Sequence, residues 1–171
     1  MKKQDKYTSP YDLDGRIPLS QAIVLGLQHV LAMFVGNLSP LLIILGTCGL
    51  TDGNGFSALR ISLLQSAMLV AGLITFLQLY PIGPVGSRLP IVMGTSSGFI
   101  GVNNAIAGSM LAGIAAGTIT TDANAGIFTY GVIMGACMIG GAVEIGLGFL
   151  IRPLRRFFTA VVTGTVVMAI G

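Results

Sequence analysis

Charge is scarce in this sequence. Only 9% of its 171 residues are charged, there is a single His, and there is no Trp. Ordinary soluble domains carry about 25% charged residues, so this composition excludes one. The chain is instead 53% hydrophobic, with a mean hydropathy of +0.88. We interpret it as an all-α integral membrane protein.

Motifs for chemistry are also scarce. Cys48 and Cys137 have neither metal-ligand spacing nor a disulfide framework around them, and we interpret both as small packing residues. The run 94–98, GTSSG, lacks the Lys and the spacing of a phosphate-binding loop. Because no nucleophile, metal cluster or cofactor motif is present, we predict that the chain is not an enzyme and holds no metal or cofactor.

Long apolar runs divide the chain into predicted membrane spans. Four runs, at 23–45, 59–80, 91–119 and 127–151, reach or exceed the roughly 20 residues that cross the hydrocarbon. A fifth starts at Thr159 and stops at the chain end, which gives about 20 Å of helix against a bilayer core of about 30 Å. The predicted organisation is therefore an N-terminal cytoplasmic segment, spans one to four, and a basic turn with a truncated fifth span, at 1–18, 19–151 and 152–171.

Basic residues lie almost entirely on one side of these spans. If the N-terminus is cytoplasmic, only Arg60 falls on the outer side, and such a bias is the positive-inside pattern. The other eight are Lys2, Lys3, Lys6, Arg16, Arg88, Arg152, Arg155 and Arg156. We predict a multi-pass protein of the cell membrane. Since topology explains the net charge of +3, no nucleic-acid partner is expected.

Two polar residues lie deep in span one. His29 is about 13 Å into the span, close to the midplane, and Gln28 adds a second polar group. Polar side chains at this depth often face a wet cavity or a transport path. The alternative is a structural residue bonded to another span.

Span three is broken by the sequence LPIVMGTSSGFIG, residues 89–101. Pro90 disfavours helix at Leu89. An extended backbone from Leu89 to Gly94 climbs about 20 Å, against about 9 Å for a helix, and so brings 94–98 to the depth of His29. Extended backbone there must line a cavity or be buried in protein. We predict a short extended strand that binds a substrate, with a helix beginning near Ser97; close packing through a G-x-x-x-G pair is the alternative.

Spans one and four each contain a further polar or helix-breaking feature. Pro40 frees the carbonyl of Gly36, which either accepts a hydrogen bond from a ligand or marks a plain kink. Glu144 is the only acidic residue well inside a span. It is interpreted as a proton relay or a hydrogen-bonded structural carboxylate.

Three stretches resemble the nucleobase:cation symporter family, also called the nucleobase-ascorbate or xanthine/uracil permeases. They are LSQAIVLGLQHVLAMFVG, LPIVMGTSSGFIG and RPLRRFFTAVVTGTVVMAIG, in register from about Pro18 to Gly171. Bacterial xanthine and purine permeases are the most similar in character. The resemblance implies the N-terminal part of a transporter with two inverted repeats of seven spans, in which spans three and ten each contain a short strand.

By the same resemblance, the substrate-binding residues are those of spans one and three. Gln28 and Glu144 are interpreted as relay or structural residues from their positions in the spans alone, and Glu144 matches no coupling carboxylate of the family. The implied binding residues are His29, Gly36, Thr95, Ser96, Ser97, Gly98 and Phe99. Three departures are evident. The family's glutamates of spans eight and ten lie outside this chain, the position of Ser97 is often aromatic in uracil permeases, and Phe158 and Thr159 replace a proline pair.

The predicted function is cation-coupled uptake of xanthine or another purine, with H⁺ as the coupling ion and Na⁺ as the alternative. Uracil is the alternative substrate. The expected partners are the lipid bilayer, the missing C-terminal spans and, in the full-length protein, a second copy. We expect no transport by the fragment alone. A related inverted-repeat anion transporter and a non-transporting membrane assembly module are the competing hypotheses.

Overall fold

The computed structural model describes residues 15–83, 85–89, 91–154, 161–162, 164–165 and 168. Within them the chain forms four α-helices, α1 at Leu19–Thr47, α2 at Ser57–Leu79, α3 at Ile100–Ala115 and α4 at Ala125–Leu154. Two 3₁₀ turns, Asp52–Asn54 and Ser97–Phe99, precede α2 and α3. The predictions that rest on Lys2, Lys3, Lys6, Pro90, Arg155, Arg156, Phe158 and Thr159 lie outside the described residues.

All four predicted spans are confirmed as helices long and apolar enough to cross a bilayer. The candidate spans are Leu19–Thr47, Ser57–Leu79, Ser97–Ala115 and Ala125–Leu150, with mean hydropathies between 1.3 and 2.0. Their side chains leave large apolar surfaces uncovered, such as Leu31 at 65% and Phe76 at 64% exposure. Continuous apolar surface of this kind is typical of helices that face lipid or further membrane spans.

The α1 helix continues through Pro40 without a break. Beside the proline, the Ser39 hydroxyl donates a hydrogen bond to the Val35 carbonyl at 2.8 Å. This bond stays within the helix and is made to the Val35 carbonyl, whereas the carbonyl that loses its helical donor to Pro40 is that of Gly36. Pro40 is itself buried, so the proline-containing stretch of α1 belongs to the packed part of the molecule.

The core lies where the C-terminal end of α1 meets α3 and α4. Leu45, Leu50 and Ile133 are at most 1% exposed there. Thr47 of α1 donates to the side-chain oxygen of Asn104 of α3 at 3.0 Å. Cys48 is 2% exposed and burial raises its thiol pKa, which favours the predicted packing role for this cysteine.

Within this core, the backbone of Gly126 at the start of α4 lies in close contact with the end of α1. A β-carbon at Gly126 would lie 2.3 Å from the Cys48 carbonyl oxygen and 3.2 Å from a methyl group of Leu50. Only glycine leaves room for the two backbones to approach this closely. The start of α4 is therefore fixed against the end of α1.

The predicted break in span three is present at residues 91–96. These residues belong to no helix, and Ser96 has an extended backbone with φ −74° and ψ 125°. We call residues 91–96 the span-three segment. Within the described residues the one β-bridge pairs Ile82 with Val85, so the segment is non-helical but has no strand partner there, and the predicted strand is absent from that part of the chain. The α3 helix begins at Ile100, after the 3₁₀ turn at Ser97–Phe99.

Candidate functional site

The span-three segment is attached to α2 through Thr75. The Met93 amide donates to the Thr75 hydroxyl oxygen at 2.9 Å. The hydroxyl proton has two acceptors within reach, the Ala71 carbonyl at 2.7 Å and the Met93 carbonyl at 3.4 Å. Because a hydroxyl has one proton and two lone pairs, the strong bonds are the one received from Met93 and the one donated to Ala71. Thr75 thus satisfies an amide that is part of no secondary structure.

On its other side the segment lies directly against α1. Gly94 is in contact with Asn37, which is only 9% exposed. A β-carbon at Gly94 would stand 1.8 Å from Oδ1 and 2.6 Å from Cγ of Asn37. The φ of Gly94 is not in the left-handed region, so glycine is required here by the close approach and not by the backbone conformation.

A cavity of about 290 Å³ lies between α1 and α2 and is bordered on one side by the span-three segment. Most of its wall is apolar, but His29, Asn37 and Thr75 contribute polar groups to it. Val92 and Met93 form the part of the wall that comes from the segment. This α1–α2 cavity combines an apolar wall with a few polar groups, which is the usual composition of a small-molecule site.

A second cavity, of about 400 Å³, lies between α2 and α4. Met93, Gly94 and Thr95 line it together with Tyr130 and residues of α2. Since Met93 lines both this α2–α4 cavity and the α1–α2 cavity, the span-three segment is a wall shared by the two.

A third cavity, of about 300 Å³, lies between α3 and α4. It is lined by Phe99 and the buried Asn103 from the start of α3 and by Cys137 and Glu144 from α4. Cys137 is exposed, so the predicted packing role does not hold for it in the described part of the chain. Glu144 is also exposed, although it faces this α3–α4 cavity.

The residues proposed from the sequence are distributed over these cavities. His29 lines the α1–α2 cavity, Thr95 the α2–α4 cavity, and Phe99 and Glu144 the α3–α4 cavity. The others are exposed and line none of the three. They are Gln28, Gly36, Ser96, Ser97 and Gly98.

The open surface around Gly36 differs from the crowded surroundings of Gly94. A β-carbon added at Gly36 would meet no atom within 4 Å, and one at Gly98 would meet only the Ser96 hydroxyl oxygen at 3.5 Å. The backbone is therefore accessible at both positions.

The level of the span-three segment along α1 differs from the sequence expectation. Gly94 lies against Asn37, eight residues after His29, which is about 12 Å further along a helix. The part of the segment that shares a cavity with His29 is Val92 and Met93. The expectation that Gly94 reaches the depth of His29 is therefore wrong by about two helical turns.

Sequence reasoning assigned no role to Asn37 or Thr75, the two residues that contact the segment. Asn37 had a weak signal, since it is a polar residue in the interior of an apolar span next to Gly36 and Pro40. Thr75 had none, because threonine is common in membrane helices, where its hydroxyl can bond to its own helix.

Four membrane-length helices, the third preceded by a break, define a multi-pass membrane protein. The chain belongs to a permease family, since the family model Xan_ur_permease, described as a permease family, matches residues 20–171.

Among its relatives, the xanthine permease XanP of Escherichia coli K12 is 32% identical over 162 residues, covering 94% of this chain and 32% of XanP. The purine permease of Emericella nidulans is 30% identical over 181 residues, covering 99% of this chain and 30% of the relative. The chain spans about a third of the length of these relatives. No solved structure matches it.

Proposed function

We propose that this chain is the N-terminal part of a nucleobase transporter whose substrate is xanthine or another purine. The observation that carries the proposal is the extended span-three segment, which breaks a membrane span between α1 and α2. Non-helical backbone within a membrane must be buried in protein or line a water-filled cavity, and such a cavity is where a transporter can bind its substrate. Membership of the permease family and the names of the relatives support the substrate class.

In this proposal the base is bound by backbone groups of span three and by the open face of α1. The residues from Thr95 to Phe99 lead into α3, and free amides at the start of a helix carry partial positive charge. They are suited to the carbonyl oxygens of a xanthine ring. The absence of a side chain at Gly36 lets a flat ring approach α1 closely, and His29 contributes a polar side chain two turns below.

Coupling to H⁺, with Na⁺ as the alternative, is a further part of the proposal. Glu144 is the one acidic side chain within the four candidate spans as described, and Gln28 and Glu144 remain the proposed relay or structural residues.

The proposal also includes a cytoplasmic N-terminus, supported by the positions of the basic residues. A second copy of the full-length protein is the proposed partner.

Radiolabelled uptake tests the proposal directly. The chain is expressed alone and also joined to the remaining two thirds of XanP, in cells that lack their own permeases. We call the joined protein the completed transporter. We expect xanthine uptake by the completed transporter and none by the chain alone. Uptake of uracil but not xanthine would shift the proposal to a uracil permease. Uptake of neither base, with normal membrane insertion, would contradict it and favour a membrane assembly module.

A further inference from the structure

We propose that Asn37 and Thr75 are positioning residues that hold the span-three segment between α1 and α2 and so set the placement of the Thr95–Ser97 backbone. This inference rests on the proposed function for its consequence in transport. Its geometric part, a contact between two helices and one extended segment, stands independently. We call the arrangement the Asn37–Thr75 clamp.

The α2 side of the clamp is a directional hydrogen bond. The Met93 amide has no helical or strand partner, and it donates to the Thr75 hydroxyl oxygen at 2.9 Å. The hydroxyl in turn is oriented by its 2.7 Å bond to the Ala71 carbonyl. The oxygen lone pair is therefore directed at the segment, and the height of Met93 along α2 is fixed by one side chain.

The α1 side of the clamp is a steric contact at the next residue. Asn37 approaches Gly94 so closely that all three terminal atoms of the carboxamide would lie within 3.0 Å of an added β-carbon. Asn37 is 9% exposed and borders the α1–α2 cavity, so its carboxamide lies between the Gly94 backbone and that cavity. Met93 and Gly94 are consecutive, so the segment is held from opposite helices at neighbouring positions.

The clamp lies immediately before the proposed ligand-binding backbone. Thr95, Ser96 and Ser97 follow Gly94 directly, and Ser96 and Ser97 are exposed. An unpaired extended segment has no ladder of hydrogen bonds to fix its register. Its position must come from contacts like those of Asn37 and Thr75, and a change in them should displace the amides offered to the base.

The geometry is tested by crosslinking in the chain itself, inserted into lipid bilayers. Asn37→Cys combined with Gly94→Cys should form a disulfide on mild oxidation. In Asn37→Cys the sulfur occupies about the position of the Asn37 Cγ, 2.6 Å from the Gly94 β-carbon position, so a second sulfur on that β-carbon can form the S–S bond of about 2.0 Å after a small shift. The matched control is Gly36→Cys with Gly94→Cys, because a β-carbon at Gly36 meets nothing within 4 Å.

Peptide mass spectrometry distinguishes the new disulfide from any that involves Cys48 or Cys137. We expect a crosslink for the Asn37 pair and little for the Gly36 pair. Equal crosslinking of the two pairs, or none in either, would overturn the clamp. This result does not depend on transport, so it separates failure of the clamp from failure of the proposed function.

The positioning role is tested by kinetics of the completed transporter. Thr75→Val removes the hydroxyl at nearly constant shape and should raise the KM for xanthine about three- to tenfold, the effect of one or two ordinary hydrogen bonds. Thr75→Ser keeps the hydroxyl and should restore the parental KM. Ser39→Ala is the control, since the Ser39 hydroxyl bonds only to the Val35 carbonyl of its own helix.

The Thr75→Val variant is compared at equal abundance in the membrane. A higher KM that Thr75→Ser reverses supports positioning. An unchanged KM, or a fall in abundance alone that Thr75→Ser also shows, would overturn it. If the parental completed transporter takes up no base, the labelling rate of Ser97→Cys by a small thiol reagent replaces KM. We then expect Thr75→Val but not Thr75→Ser to change that rate, and equal rates would overturn the role.

Discussion

Substituting Gly94 by alanine should destabilise the fold through one identifiable overlap. The new methyl group would lie 1.8 Å from the Asn37 oxygen, whereas ordinary contact begins at 3.4 Å, so the two must separate by about 1.6 Å. The neighbouring Met93 is bonded to Thr75, which limits movement of the segment, and Asn37 can yield only toward the α1–α2 cavity. Overpacking of this kind costs about 1–3 kcal/mol. The smaller unfolded-state entropy of alanine offsets about 0.4–1 kcal/mol of it.

A double-mutant cycle isolates this overlap. Asn37→Ala deletes the three atoms nearest to the new methyl group, so in that background Gly94→Ala should cost much less. The coupling energy between the two positions should then be about 1–3 kcal/mol. Gly36→Ala is the control, because its methyl group points into open space and helix propensity predicts a gain of up to about 1 kcal/mol.

Equilibrium unfolding of the purified chain in mixed detergent micelles, followed by circular dichroism, measures these free energies. If Gly94→Ala is equally harmful with and without the Asn37 side chain, the contact is not the cause. If Gly36→Ala is as harmful as Gly94→Ala, the difference between open and crowded glycines is refuted.

Three further predictions address the proposed site and the core. In the completed transporter, Ser97→Cys should react with a small water-soluble thiol reagent, and saturating xanthine should protect it; labelling that ligand leaves unchanged would count against a binding role. His29→Leu should alter uptake kinetics while membrane insertion stays normal, and identical kinetics would make His29 structural. Gly126→Ala should lower the unfolding free energy by about 1–3 kcal/mol, since its methyl group meets the Cys48 carbonyl at 2.3 Å, and an unchanged unfolding curve would contradict the tight α1–α4 joint.

The number of spans and the break in span three were both predictable from the sequence. The hydropathy of a membrane span is an average over about 20 consecutive residues, so it can be calculated from the sequence alone. The break was predictable from the residues at the break itself. Glycine, serine and threonine are weak helix formers, and polar groups left without a hydrogen-bond partner in lipid are costly. The structure agrees, with residues 91–96 outside any helix.

The level of the segment along α1 was not predictable in the same way. A rise per residue gives the height that the segment gains but not the level along α1 at which the segment begins, which depends on how the helices pack. Gly94 meets Asn37, and Val92 and Met93 share the cavity of His29. An estimate from His29 outward could not include the tilt of α1 or the direction of the segment.

The sequence by itself determined the membrane class, the four spans, the extended segment and the family resemblance, because each depends on the identity and order of neighbouring residues. Only the tertiary structure decided which residues hold that segment. Asn37 is 57 residues from Gly94, and Thr75 is 18 residues from Met93. Such pairs meet only when helices pack, and packing depends on the shapes of all the surfaces together, which no local pattern of residues contains.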